Sequence, residues 1–431
     1  MRLISLKFIK SVIKRNRVIF VNFQSLVILQ AMNYLVPLIS LPYLVRTLGI
    51  SVFGMLVFAQ AFVSYFISLT NYGFFISGPR LIATNGKSVR SRNEAATSIF
   101  VCKFLILLFS SLCVLVIVNS FEVFFAYRSL IFVTSLLLFN EALSPIWFFQ
   151  GVEDMKSITI FSVLGRLISL ALLFSLVHSE DDLLKAAFLQ VVGGSIAAVS
   201  GVILMVLKYH YRFRFLGTEA IWTTFKQGFN IFFSQLPSTL LTNLNVTVLG
   251  LFSQPGVTGA YALGERVVRL AIATVTPVSS AIFPRLARSF ESSIDETKKR
   301  LRLILFGGSL LFAALGVMLF FLSTFIVEIM SSEGSETAVL VIKCLCLLPL
   351  FIFVNNVYGM QFMVNVGRDR EFRNIMIFVG CLFPPLSYLL IVHYSVLGAT
   401  LALFLAEFIL VALMVVVGEF RGTVRGLIRS A

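Results

Sequence analysis

The chain has 431 residues and a mean hydropathy of +0.96, with 58% hydrophobic and only 13% charged residues. A soluble domain carries about 25% charged residues, so that class is excluded. The formal net charge of +15 does not indicate nucleic acid, because the Lys and Arg flank apolar runs, where they act as topology signals and lipid-headgroup contacts.

The first seventeen residues hold too many charges for the apolar core of a signal peptide. They read as an interfacial amphipathic lead-in with Leu3, Ile4, Phe8, Ile9 and Val12 against lipid. Twelve segments long enough to span a bilayer follow, near 20–45, 52–77, 98–118, 124–148, 157–178, 183–207, 229–252, 257–283, 303–328, 337–364, 374–393 and 396–418. Basic residues concentrate at the two ends and in the loops near 78–97, 208–220, 284–302 and 366–373, whereas the opposite side carries only Arg46, Arg128 and Lys185. Cationic loops stay in the cytoplasm. Both termini are therefore expected there, in a multi-pass membrane protein.

Shifting the chain by 205 carries Pro79-Arg80-Leu81 onto Pro284-Arg285-Leu286, Gly54 onto Gly259, and Val63 and Ile67 onto Val268 and Ile272. Roughly the same shift carries six spans onto six, the pattern of parallel repeats. The expected organisation is an all-α integral membrane protein: a six-helix bundle over 1–207 with the lead-in, a cytoplasmic linker over 208–228, and a second six-helix bundle over 229–431 ending in a short basic tail. Prolines interrupt several spans. Pro37 and Pro42 in the first and Pro237 in the seventh are candidate hinges, because each removes a backbone donor well inside a helix.

No catalytic constellation is visible. His178, His210 and His393 are scattered, and the five Cys (Cys102, Cys113, Cys344, Cys346 and Cys381) sit in apolar spans without metal spacing. Asn85-Gly86-Lys87-Ser88 resembles the end of a phosphate-binding loop, but Leu81 stands where its leading glycine belongs and no strand precedes it. The external loops are too short to hold the acid/base residues and sugar of a glycosyl-transferring enzyme. The expectation is a non-enzyme without metal or cofactor.

What remains is charge inside the membrane. Arg166 and Arg266 lie roughly 15 Å along their spans, too deep to snorkel easily, whereas Lys103 and Lys343 are near enough to an end to do so. Arg266 and Arg269 are three residues apart and share a helix face. Arg266, Arg269, Arg166 and Arg46 are the candidates for a cationic cavity that binds an anionic substrate; interhelical ion pairs are the competing reading. Glu141, Glu265 and Glu407 are the embedded acids, with roles as counter-ions or as the coupling site. The counter-ion role is preferred.

Two stretches, NYLVPLISLPYLVRTLG (33–49) and FGMLVFAQAFVSYFISLTNYGFFISGPR (53–80), resemble the opening helices of the polysaccharide, or O-antigen, flippases. These belong to the multidrug/oligosaccharidyl-lipid/polysaccharide exporter superfamily. PIWFFQGVEDMK (145–156), YALGERVVRL (261–270) and FPRLARSF (283–290) fit the same family. The resemblance implies about twelve transmembrane helices in two six-helix bundles arranged in a V. It also implies alternating access that carries undecaprenyl-pyrophosphate-linked oligosaccharide between leaflets. Its implied partners are that glycan, membrane lipids, and a polysaccharide polymerase and chain-length regulator, with no nucleic acid. Alternatives are a lipid II flippase, which usually has fourteen spans, a multidrug/cation antiporter, which would carry an acid in the first helix, and an embedded polymerase.

Overall fold

The computed structural model describes residues 2–85, 88–214, 217–275, 277, 279, 294–331 and 335–429. The basic loop at 280–293, with Pro284-Arg285-Leu286 and the 283–290 run, lies outside the described residues, as do Gly86 and Lys87. Regular structure among the described residues is entirely helical. Eight helical stretches there are long and apolar enough to cross a membrane. Some hold two of the segments read from hydropathy, as Phe20–Thr84 and Asp369–Val417 do. The protein is an all-α, multi-pass membrane protein.

Helix α1 (Arg2–Asn71) is broken inside by Gly49 at φ 75, ψ 161, a conformation open to a residue without Cβ. It ends where Tyr72 (φ 50) and Gly73 (φ 77) turn the chain into α2 (Phe74–Thr84). α3 (Val89–Ser120) starts at Ser88, whose hydroxyl accepts from the Ser91 amide at 3.0 Å. α4 (Arg128–Leu143) stops before Pro145, and the short α5 (Ile146–Gly151) follows. Then come α6 (Met155–Leu176), α7 (Leu183–Tyr209), α8 (Thr218–Phe252) and α9 (Pro255–Ile272). Of the expected 208–228 linker, the amphipathic run after Gly217 is continuous with the seventh span. The chain closes with α10 (Ile294–Met330), α11 (Glu336–Leu345), α12 (Leu348–Asn356), a π-helical turn Val357–Met363, and α13 (Asp369–Arg429), kinked at Ser395.

These elements form two compact units: Met1–Tyr43 with Phe62–Gln235, and Leu44–Ala61 with Leu236–Ala431. In the first unit α7 packs on α6 and α4. Asn140 of α4 donates to the Val191 carbonyl at 2.8 Å and accepts from Ser195 at 2.8 Å, so the amide is satisfied within the protein. An aromatic cluster of Tyr72, Phe74, Trp147, Phe148 and Phe149 joins α2 and α5 to Ile99 and Cys102 of α3. Below it Asp154 accepts from Lys208 at 2.6 Å and from the Tyr209 hydroxyl at 2.7 Å, tying the start of α6 to the end of α7.

In the second unit the 44–61 segment of α1 lies against α9. Its contact point is Gly54 on Gly259, the two glycines that the shift by 205 superposes. A Cβ on Gly54 would collide with the Pro255 carbonyl oxygen, and one on Gly259 with that of Ile50. Small residues at such crossings let backbones touch, which supplies the packing that apolar burial cannot supply in lipid. Deeper in the unit Asn245 donates to the Tyr261 hydroxyl at 2.9 Å and to the Ala399 carbonyl at 2.8 Å, and accepts from Ser387 at 2.6 Å.

Burial would raise the Asp154 carboxyl, but hydrogen bonds from Lys208, Ser157 and Tyr209 outweigh it and hold the group below the usual carboxylate range. A depressed folded-state pKa adds stability above the unfolded value of about 3.9 that is lost as pH falls through the folded value. Asp154→Asn is therefore expected to lower the unfolding temperature of the purified protein at pH 7. Wild type and variant should converge as the pH is taken below about 4. An equal gap at pH 7 and pH 3 would remove the ionic origin of this contact.

Candidate functional site

Each unit contains a cavity lined by its own helices, with polar and charged side chains set in a largely apolar wall. That of the first unit, about 440 Å³, is walled by Asn33 and Pro37 of α1, Asn140 and Glu141 of α4, Ser162, Arg166 and Ser169 of α6, and Gln190 of α7. Glu141 does not face it alone. Its Oε1 accepts from Lys103 Nζ at 3.0 Å and from the Asn71 amide at 2.8 Å. Lys103 is 1% exposed. The expectation that this lysine snorkels to the interface is thus overturned: a carboxylate on the neighbouring helix lies nearer than water. Arg166 donates to the Leu29 carbonyl at 3.3 Å and forms no ion pair among the described residues.

The second unit's cavity, about 220 Å³, is walled by Ser238 and Thr242 of α8, Glu265 and Arg269 of α9, Asn355 of α12, and Met376 and Glu407 of α13. Arg269 binds Glu265 at 2.6 and 3.1 Å and the Thr242 carbonyl at 3.0 Å. Glu407 Oε2 is buried and has no hydrogen-bond partner among the described residues. Two carboxylates therefore accompany one guanidinium.

The two cavities occupy corresponding places in the internal repeat. The shift by 205 carries Asn33, Pro37 and Ile67 of one wall onto Ser238, Thr242 and Ile272 of the other. Slightly larger constant shifts carry Leu137, Glu141 and Ser144 onto Leu348, Ile352 and Asn355, and Gln190, Gly194 and Ala197 onto Leu403, Glu407 and Leu410. The scaffold repeats while the charges do not. The acid stands on α4 in the first cavity and on α9 and α13 in the second.

Arg266 does not join Arg269. Although both lie on one broad face, Arg266 donates to Gln60 Oε1 at 2.7 Å, and its guanidinium sits 5.2 Å above the Phe53 ring. It lines neither cavity. Arg46 is exposed and reaches the Glu328 carbonyl at 3.5 Å, also away from both. All three prolines sit inside their helices; Pro37 also lines the first cavity, and Pro237 packs against Gly380. Sequence reading missed Lys103, Asn71, Gln60 and the cavity amides Asn33, Asn140 and Gln190. Amides inside apolar spans were the available signal. Among the described residues no group of three or more His, Cys, Asp or Glu assembles for a metal.

Removing one member of a buried pair leaves the other uncompensated. Lys103→Met should cost about 3 kcal/mol of stability, the low end for such pairs because the Glu141 side chain remains 23% exposed. Adding Glu141→Gln should restore most of it. Equal unfolding temperatures for wild type and Lys103→Met would show the pair to be inert.

Solved structures share this helical fold. An inward-facing multidrug resistance transporter of the MATE family matches with a TM-score of 0.67 at 15% identity, over 90% of this chain and 98% of its own. The lipid II flippase MurJ, inward closed, matches with a TM-score of 0.70 at 15% identity, over 92% of this chain and 86% of its own. The fold is that of the multidrug/oligosaccharidyl-lipid/polysaccharide exporters.

Within that class the sequence is more specific. A family model described as polysaccharide biosynthesis protein matches residues 19–290, and the chain belongs to that family, among the polysaccharide flippases it resembles. A protein of Escherichia coli (strain K12) named "Putative O-antigen transporter" is 29% identical over 415 residues, spanning 90% of this chain and 94% of that protein. One of Shigella dysenteriae with the same name is 24% identical over 401 residues, spanning 91% and 98%.

Proposed function

We propose that the protein moves undecaprenyl-pyrophosphate-linked oligosaccharide, the precursor of an O-antigen or related surface polysaccharide, from the cytoplasmic to the outer leaflet of a bacterial inner membrane. It does so by alternating access and without catalysis. The observation that carries this reading is the charge left over inside the apolar spans. Each unit keeps one guanidinium, Arg166 or Arg266, that forms no ion pair among the described residues. Such groups are costly in a bilayer unless they meet an anion or water. A guanidinium can hold phosphate oxygens bidentately, and the pyrophosphate is the part of the substrate that cannot cross hydrocarbon. The amides and hydroxyls of the first cavity suit sugar hydroxyls. Pro42 and Pro237, each inside a helix near the point where the chain passes from one unit to the other, are the proposed hinges. A polymerase and a chain-length regulator would take up the product outside.

The embedded acids divide. Glu141 is tied to Lys103 and Asn71 and acts as a counter-ion, whereas Glu407, with an unpartnered oxygen, is the coupling candidate. The test is flipping of the lipid-linked glycan by the protein in vesicles, with and without a pH gradient. Wild type and Glu141→Gln should both flip, and Glu407→Gln should lose any dependence on the gradient. A wild type that fails to move this substrate would sink the reading.

Topology is checked separately on a cysteine-free background. Single cysteines at Ser120 and Ser335 should react with an impermeant thiol reagent in intact cells, and one at Asn85 should not. Reaction at Asn85 would reverse the proposed orientation.

A further inference from the structure

The two neighbouring arginines of α9 are held by two different partners, and those partners are related by the internal repeat. Arg269 is held by Glu265 at 2.6 Å, a carboxylate that cancels its charge. Arg266 is held by Gln60 at 2.7 Å, a neutral amide that fixes its direction and leaves its charge intact. The shift by 205 that superposes Gly54 on Gly259 also superposes Gln60 on Glu265. One repeat position thus bears the acid in one copy and its isosteric amide in the other.

The placement follows from packing. Contact of Gly54 with α9 at Gly259 brings the 44–61 segment of α1 close alongside α9. Two turns further along, Gln60 stands beside Arg266, and Phe53, 0% exposed, forms the floor under the guanidinium. Stacking on an aromatic face and a hydrogen bond from one Nη position the planar fork without using all five of its donors. Arg266 is partly exposed.

We propose that Gln60 is a positioning and charge-setting residue: it orients Arg266 while keeping it an unpaired cation, and so makes Arg266 rather than Arg269 the group that binds the anionic phosphate moiety of the substrate. This rests on the reading of the protein as a carrier of a phosphate-linked lipid. A glutamate at position 60 would turn the binding group into a second internal ion pair. The neutral side chain is therefore the functional choice, although a carboxylate would hold the arginine more strongly.

The experiment measures binding of inorganic pyrophosphate to the full-length protein in detergent by titration calorimetry, together with its unfolding temperature. Wild type should bind, and Arg266→Ala should lose binding. Gln60→Glu should weaken binding about tenfold or more, the loss of one charge-assisted contact, while its unfolding temperature stays equal or rises. Gln60→Met, which removes the acceptor but adds no charge, should bind better than Gln60→Glu. A merely structural glutamine predicts the reverse order, with Glu tolerated and Met damaging both binding and stability. Wild-type affinity in Gln60→Glu would overturn the proposal while leaving the transport reading intact. Wild-type affinity in Arg266→Ala would instead remove the anion site on which both stand.

Discussion

An ion in hydrocarbon must find a partner within the protein, and the arrangement of this chain follows from that cost. Two of the embedded cations have found a carboxylate. Lys103 requires Glu141, Arg269 requires Glu265, and both pairs join groups whose removal would strand the other. Ion pairs of this kind do little to stabilise the fold relative to an apolar alternative. Their presence in a chain with only 13% charged residues therefore points to use rather than to stability. The pairs hold the polar lining of two cavities in place, and the unpaired guanidiniums are what remains available to a ligand.

Backbone polarity follows the same rule. Where α6 stops, a hydroxyl takes over a freed group: Tyr43 donates to the Val177 carbonyl at 2.5 Å. Inside helices, side-chain amides reach across to neighbours, Asn140 donating to the Val191 carbonyl and Asn245 to that of Ala399. Packing then depends on small residues instead of apolar burial, since lipid tails are as apolar as leucine. Gly54 on Gly259 is the clearest case. The same crossing sets the reach of Gln60 to Arg266, which ties a packing detail to the charge presented to a ligand.

Membrane class and helical architecture were legible because hydropathy over twenty residues is a local property. So was the proline punctuation of α1 and α8. The ion pair Lys103–Glu141 was not legible, since its members lie on different helices and nothing local names the partner; depth alone made Lys103 look rescued by snorkelling. Arg269 differs. Glu265 lies four residues before it, the spacing at which helix side chains meet, so its neutralisation could have been read from the sequence. Grouping Arg266 with Arg269 by their three-residue spacing obscured that. The continuity of the amphipathic run after Gly217 with the rest of α8 was hidden for another reason. A change from polar to apolar composition resembles a boundary even where the backbone hydrogen bonds run through it.

The internal repeat explains how one scaffold can hold two unlike sites. Duplicated helices bring corresponding positions to corresponding walls, so Asn33 and Ser238, or Glu141 and Ile352, face equivalent spaces. Nothing requires the chemistry at those positions to remain the same. Divergence has left the first cavity richer in amides, with an arginine that forms no ion pair, and the second with two carboxylates around a neutralised one. Wall positions that correspond by sequence shift thus carry different charges on helices that correspond, Glu141 against Ile352 and Gly194 against Glu407.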